Sequence, residues 1–299
     1  MSARISHVTT MSSNPTTIGT MYECVFGLSY PTSTELVSYG EVLTDGIVNL
    51  NLHRRLPGQR LGLDHFGIEV DDVKAVLDKI KSDYPAIGWI ENPPNCPYAG
   101  YLSHDPAGSI FALTEKSSSK GGDHKTTERP KSDNFERWSD ADPAGRYLHH
   151  YAIRTRKLDE CAQFYENLFG FERSGGKGDD PNHYLSDGHM TLLLIPWSIH
   201  NYGGISVTGR GPDHIGFKVE DIAIATKEIE DFYSHYAPGR APLWTLTNVN
   251  TQSNESKIMN GILDRSNPMS SYHFTDSDGV FIVVGDKSFS EIKIEKSSS

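Results

Sequence analysis

The chain repeats itself. The segment "SHVTTMSSNPTTIGTMYECVFGL" (6–28) parallels "HHYAIRTRKLDECAQFYENLFGF" (149–171), with His7 and Tyr22 answering His150 and Tyr165. Next, "TDGIVNLNLH" (44–53) matches "SDGHMTLLLI" (186–195), and "LDHFGIEVDD" (63–72) matches "PDHIGFKVED" (212–221). Finally "YLSHDPAG" (101–108) matches "YHFTDSDG" (272–279). Four landmarks in one order, twice, restrict the chain to folds that can be built in duplicate. At 299 residues there is room for two ordinary domains.

The repeat places the boundaries. A first domain is expected over 1–115 and a second over 146–289, with a short tail over 290–299. Residues 116–145 are polar, poor in apolar side chains, and read as a linker. The second copy is longer, and its extra residues fall in the Asn-, Ser- and Pro-rich stretch 237–271, which reads as an extended loop, of a length uncommon unless a loop covers a site or is mobile.

Each copy divides again. "ISHVTTM" alternates as a strand does, and "PTTIGTMYECVFG" has apolar residues at helical spacing stopped by Gly27. "LVSYGEVL" and "GIVNLNLH" form a hairpin pattern around "TDG". The strand "LDHFGIEV" restarts the pattern. The helix after it has Asp72 as N-cap and Val73, Val76, Leu77 and Ile80 on one face. Each domain is therefore expected to be a pair of βαβββ modules. The fold class is α+β, with curved mixed sheets around a cup and helices outside.

Composition excludes several functions. Acidic residues outnumber basic ones, the net charge is −11, and no basic stripe is present, so a nucleic-acid partner is not expected. Three cysteines, Cys24, Cys96 and Cys161, form no close pair, which fits a reducing compartment. No apolar run reaches signal-peptide or membrane-spanning length. A cytoplasmic protein with no membrane partner is expected. A small molecule is the expected ligand, and a homo-oligomer is compatible with the sequence.

These landmarks resemble the vicinal oxygen chelate superfamily: glyoxalase I, fosfomycin-resistance proteins, bleomycin-binding proteins and type I extradiol dioxygenases. The residues that carry the resemblance are the first-strand His, Y-E-x-x-F-G, D-H-x-G-x-x-V and D-x-x-G before the last strand. Two such domains in about 300 residues look most like the extradiol dioxygenases, whose second domain normally holds iron.

The resemblance implies metal-ligand slots at His150, His214, Thr191 and Val283 in the second copy. In the first copy they fall at His7, His65, Asn49 and Ala112. Two His and one carboxylate suit Fe(II), but Val283 and Ala112 stand where the carboxylate would be, and neither can ligate. Thr191, Asp276 or Asp264 are candidate replacement oxygens. His150 and His214 are thus assigned as ligands of a divalent metal, Fe(II) first and then Mn(II) or Zn(II), with a metal-free cup as the alternative. His273, ten residues before Val283, is assigned as acid/base. Thr191, Tyr272, Val283 and His189 are assigned to the substrate surface, although Tyr272 has Tyr101 as its counterpart and also suits a structural role. His7 and His65 read as hydrogen-bonded structural residues. His149, by strand alternation, is expected outside the cup.

The Gly-rich stretches 175–180 and 202–211 read as loops. Trp197, Trp244 and Tyr202 could line an aromatic pocket. The activity implied is that of an extradiol-dioxygenase-like protein acting on a small aromatic or vicinal-oxygen substrate. The alternatives are a metal-free binding protein of the bleomycin-resistance type and a non-redox lyase or isomerase.

Overall fold

The computed structural model describes residues 3–30, 40–94, 96, 99–116, 146–175, 180–197, 211–236, 254, 257, 269, 272–287 and 289. The linker expected over 116–145 lies outside these residues except for Lys116. So does the loop expected over 237–271 except for residues 254, 257 and 269, and so do Tyr202, Trp244, Asp264 and the tail over 290–299.

The N-terminal half runs β1 (Ala3–Ser12), α1 (Pro15–Phe26), β2 (Gly40–Thr44), β3 (Asn49–Arg54), β4 (Gly62–Val70), α2 (Val73–Asp83), β5 (Trp89–Glu91), β6 (Tyr101–His104) and β7 (Ile110–Glu115). The C-terminal half runs β8 (Tyr147–Thr155), α3 (Leu158–Phe169), β9 (Glu172–Gly175), β10 (His183–Ser186), β11 (Thr191–Pro196), β12 (Gly211–Lys218), α4 (Ile222–Tyr236), β13 (Tyr272–Thr275) and β14 (Phe281–Gly285). Each half makes one mixed sheet, in the orders β2-β3-β1-β4-β7-β6-β5 and β13-β14-β12-β8-β11-β10-β9. The α+β class holds. Among the described residues each sheet has seven strands, where two βαβββ modules would supply eight.

The first strands of the two modules pair antiparallel at the centre of each sheet, β1 with β4 and β8 with β12. Each has a parallel strand on its outer side, β3 and β7 in one sheet, β11 and β14 in the other. Local sequence explains the helices. In α1, Pro15 opens the first turn, Asn14 accepts from the Thr17 amide, and Gly27 ends the helix at φ 66°. In α2, Asp72 accepts from the Ala75 amide at 2.9 Å, as the sequence indicated. Gly170 ends α3 at φ 71°.

One face of both sheets feeds a single apolar core that runs through both halves. Each first helix is wedged between its own sheet and the other one. Phe26 of α1 stacks on Phe217 of β12 with ring centroids 3.9 Å apart. Tyr165 of α3 lies against Phe66 of β4 and Phe111 of β7.

The polar contacts between halves come in matched pairs. Tyr22 donates to the Asp276 carboxylate at 3.1 Å, and Tyr165 donates to the Asp105 carboxylate at 3.3 Å. The same aspartates accept amides from their own turns, Asp105 from Ala107 and Ser109, Asp276 from Asp278 and Val280. The turn carboxylates of "TDG" and "SDG" also cross over. Asp45 accepts the Leu148 amide at 2.9 Å, and Asp187 accepts the Ile5 amide at 2.5 Å. Arg146 adds an unmatched clamp, bonding the Val25 carbonyl of the first half and Glu220 and Glu228 of the second.

Replacing Tyr22 or Tyr165 by Phe removes a donor from a buried carboxylate. Each change should cost about 1–3 kcal/mol in urea denaturation. Burial, with Asp278 adding to it, raises Asp276 from 3.8 to about 7. A carboxyl that keeps its proton longer in the folded chain stabilises below its unfolded pKa, and that contribution is lost as pH rises from about 4 to about 7. Asp276→Asn keeps an oxygen for the turn amides, so it should flatten this part of the pH–stability curve.

Candidate functional site

Strand register shows which residues share the concave face of each sheet. In the C-terminal half one row reads Thr191, His150, Gly216, Val283 and His273. In the N-terminal half the matching row is Asn49, His7, Gly67, Ala112, Leu102 and Ile90. Three of the four slots assigned from sequence in each half therefore lie in one row, while His214 and His65 stand two residues along their strands from Gly216 and Gly67.

Two bulges on each central strand pair shape the face. Registers shift between Gly216 and Phe217 and between Pro212 and His214, which leaves His149 and Asp213 as extra residues. The N-terminal sheet shifts at the corresponding places and leaves Ser6 and Asp64. A bulged residue is freed from strict alternation. The expectation that His149 points away from the cup is accordingly corrected: its Nδ1 lies 3.1 Å from Nδ1 of His150. Asp213 and Asp64 each come within 2.7 Å of Nδ1 of the next residue, His214 and His65.

The C-terminal cup is thereby threaded by a chain of polar atoms. Arg154 Nε donates to Asp213 at 2.8 Å, and Asp213 accepts Nδ1–H of His214. That tautomer leaves Nε2 of His214 bare, 3.0 Å from Nε2 of His150. If His150 carries its proton on Nε2, its Nδ1 accepts from His149, and every link is satisfied. Burial, then the neighbouring His214 and His149, hold His150 well below the usual imidazole range, so it is neutral. The opposed pairing of Asp213 with Arg154 and His214 holds that carboxyl well below its usual value despite burial.

The motif glycine has a steric reason. A Cβ on Gly216 would sit 1.8 Å from Cε1 of His150, and one on Gly67 would sit 1.8 Å from Cε1 of His7. In each cup the first-strand imidazole lies flat over the glycine of D-H-x-G.

The third ligand slot is aliphatic. Val283 is fully buried, and Thr191 is the oxygen nearest in register to His150. Asp276 is not available as a substitute, because it sits on the core side bonded to Tyr22. Among the described residues no three His, Cys, Asp or Glu side chains converge as a ligand set. The described donors therefore do not by themselves make the two-His-one-carboxylate centre.

Other assignments are redistributed. His273 lies in the cup row, buried, its ring stacked on Phe281 at 5.5 Å. Phe281 also meets His214 at 6.0 Å, so His273 is linked to the histidine pair through an aromatic ring. Tyr272 points to the opposite face, into the shared core beside Phe274, which corrects its assignment to the substrate surface. His189 is exposed on the turn between β10 and β11 and does not reach the cup. Trp197 packs under the Arg156 guanidinium at 3.7 Å.

Several residues of the two cups were not read from sequence. Phe289 lies over His149, His150 and Tyr184, with centroids 4.7, 5.0 and 4.6 Å away. It packs with Ala152, Leu193 and Ile195, giving the C-terminal cup an apolar lining. In the N-terminal cup, His7 and His65 meet edge to face at 5.9 Å. Burial, with His65 adding to it, lowers His53 to about 4. Period-2 alternation from His7 and Asn49 would have brought Asn51 and His53 to this face.

Gly216→Ala should displace the His150 ring. Its cost is expected to be about 1–3 kcal/mol in denaturant melts, with loss of the His150–His214 coupling seen in imidazole ¹⁵N shifts. Gly188→Ala, at an open turn glycine of φ 95°, should leave those shifts unchanged.

The comparisons agree with this geometry. Residues 147–284 match the family model "Glyoxalase/Bleomycin resistance protein/Dioxygenase superfamily". No curated protein matches the chain. Among solved structures, the Mn(II)-bound glyoxalase from Novosphingobium aromaticivorans aligns with TM-score 0.55 and 13% identity over 98% of this chain and 87% of that one. The 2,3-dioxygenase LapB from Pseudomonas sp. KL28 aligns with TM-score 0.51 and 16% identity over 94% and 91%. A xylose isomerase-like TIM barrel/4-hydroxyphenylpyruvate dioxygenase fusion protein aligns with TM-score 0.53 and 15% identity over 94% of this chain, which spans about half (48%) of that protein. No helix among the described residues is long and apolar enough to cross a membrane. Over residues 147–284 the chain is thus similar to the glyoxalase/bleomycin resistance protein/dioxygenase superfamily, and the N-terminal half carries the same fold.

Proposed function

We propose that the C-terminal cup binds a small aromatic molecule without a metal centre. The observation that carries this is the way the cup is filled: Phe289, at the end of the chain's last hairpin, rests its ring on His149, His150 and Tyr184. A surface of imidazole and phenol edges with aliphatic walls accepts a flat ring. The buried Val283 at the carboxylate slot makes the cup more apolar and removes the charge that would hold Fe(II). The chain of His149, His150 and His214 supplies donors and acceptors for one polar substituent, and His273 stands where it could exchange a proton with it.

A second reading is favoured by one distance. Two Nε2 atoms 3.0 Å apart have the spacing of adjacent ligands each about 2.1 Å from a metal, and Asp213 orients His214 as carboxylates orient metal-binding histidines. On that reading His150 and His214 hold Mn(II), Zn(II) or Fe(II) weakly, with Thr191 and ligand oxygens completing the site, in a lyase, isomerase or dioxygenase.

Fluorescence titration with 2-naphthol and elemental analysis after anaerobic loading with Fe(II), Mn(II) or Zn(II) separate the two. The first reading expects naphthol binding that tightens about tenfold in Phe289→Ala, worth about 1.4 kcal/mol, and no stoichiometric metal. It fails if naphthol does not bind, or if a metal is retained and lost again in His150→Ala or His214→Ala. Val283→Glu should restore metal retention if the missing carboxylate is the reason for its loss.

A further inference from the structure

We propose that the N-terminal cup is a second, separate binding site, for a small uncharged molecule with an apolar body and two hydrogen-bond donors. The argument starts from two amide oxygens. Asn49 and Asn51 of β3 are 8% and 2% exposed, and Oδ1 of each lacks a hydrogen-bond partner among the described residues. Strand register puts both on the concave face, Asn49 beside His7 and Asn51 beside Thr9, while Leu50 and Leu52 between and after them enter the shared core. A buried acceptor without a donor opposes folding, so two on one wall call for a ligand that supplies donors.

The opposite wall says what the rest of that ligand is. Ala112 and Leu102 pack with Cys96 and Ala99, and the row ends in Ile90, which is 60% exposed although it belongs to the concave face. Ile110, level with His65, is 46% exposed. An uncovered aliphatic wall facing a polar one suits a molecule with one face of each kind. No charge is called for. Arg4 and Glu69 neutralise one another at 3.2 Å, and His53 is held neutral by burial.

The two cups differ where this reading needs them to. Asn51 is replaced by Leu193 at the corresponding position of the C-terminal sheet and His53 by Ile195, both of which pack in the apolar lining there. The same backbone thus accepts leucine at this position, and the amide in the N-terminal cup is not required by the fold.

That comparison supplies the test. Calorimetry and thermal melts use resorcinol, which has two donors on an apolar ring, and 1,3-dimethoxybenzene, which has none. The full chain should bind resorcinol saturably and at least tenfold more tightly than the ether. Asn51→Leu should weaken resorcinol at least tenfold while raising Tm by about 2–4 °C, because it removes an unsatisfied buried group. Asn49→Val, close in shape to the Thr191 of the other cup, is the second variant should the first fold poorly. The resorcinol site that Asn51→Leu weakens should keep its affinity in Phe289→Ala, which changes the C-terminal cup alone.

The inference is overturned if the two arenes bind equally or not at all. It is also overturned if both asparagine variants lower Tm, which would mean the oxygens are satisfied in the free protein. A resorcinol affinity that responds to Phe289→Ala and not to Asn51→Leu would place the arene in the C-terminal cup. That result would overturn the second site while leaving the proposal for the C-terminal cup standing.

Discussion

Two buried carboxylates hold the architecture together. Asp105 and Asp276 each organise a hairpin turn with their own backbone and accept one further hydrogen bond from a tyrosine of the opposite half. The tyrosines are fixed in turn by helices wedged between the sheets, where Phe26 and Tyr165 stack on strands of the other half. Separating the halves would expose one continuous apolar core to water and break both tyrosine–aspartate hydrogen bonds. The fold is therefore built as one body with two cups, rather than as two beads on a linker.

Rigidity on the core side is what lets the cup side be irregular. Each central strand pair carries two bulges. One sets His149 or Ser6 beside the first-strand histidine, and the other sets Asp213 or Asp64 against the ring nitrogen of the next one. Bulges disturb the ladder, and the strand amides beside the first pair, Ile5 and Leu148, find their acceptors in Asp187 and Asp45 of the opposite half. The arrangement of the histidines thus depends on contacts that cross the molecule.

Much of this was legible in the sequence, and the parts that were not share a cause. The repeat implied two like domains, and the resemblance assigned His150, Thr191, Val283 and His273 to one cup; the register sets those four in one row. Alternation failed at His149 because a bulge adds a residue, and nothing in "RYLHHYAIRT" marks a bulge. At Tyr272 alternation holds: His273 takes the cup face, so Tyr272 takes the core face. Phe289 was invisible for a different reason: it lies past the last strand, and only the turn of the chain brings it over His150. Asn51 and His53 follow Asn49 at period two, so strand alternation alone carries them to the same face.

The duplicated frame also explains why the two cups are unlike. The core face of each sheet packs against the other half, so a change there must suit two partners, and the repeats stay alike: Tyr22 and Tyr165, Asp105 and Asp276, Asp45 and Asp187. The concave faces answer to no common partner. On one, Leu193, Ile195, Ala152 and Phe289 surround a closed histidine chain. On the other, the amide oxygens of Asn49 and Asn51, without a partner among the described residues, lie opposite an exposed isoleucine. Glycines 67 and 216, which lie on the cup side yet have not diverged, are the exceptions that fit the rule. Each lies beneath a histidine ring that leaves no room for a Cβ, so even there what is kept is what the packing will not allow to change.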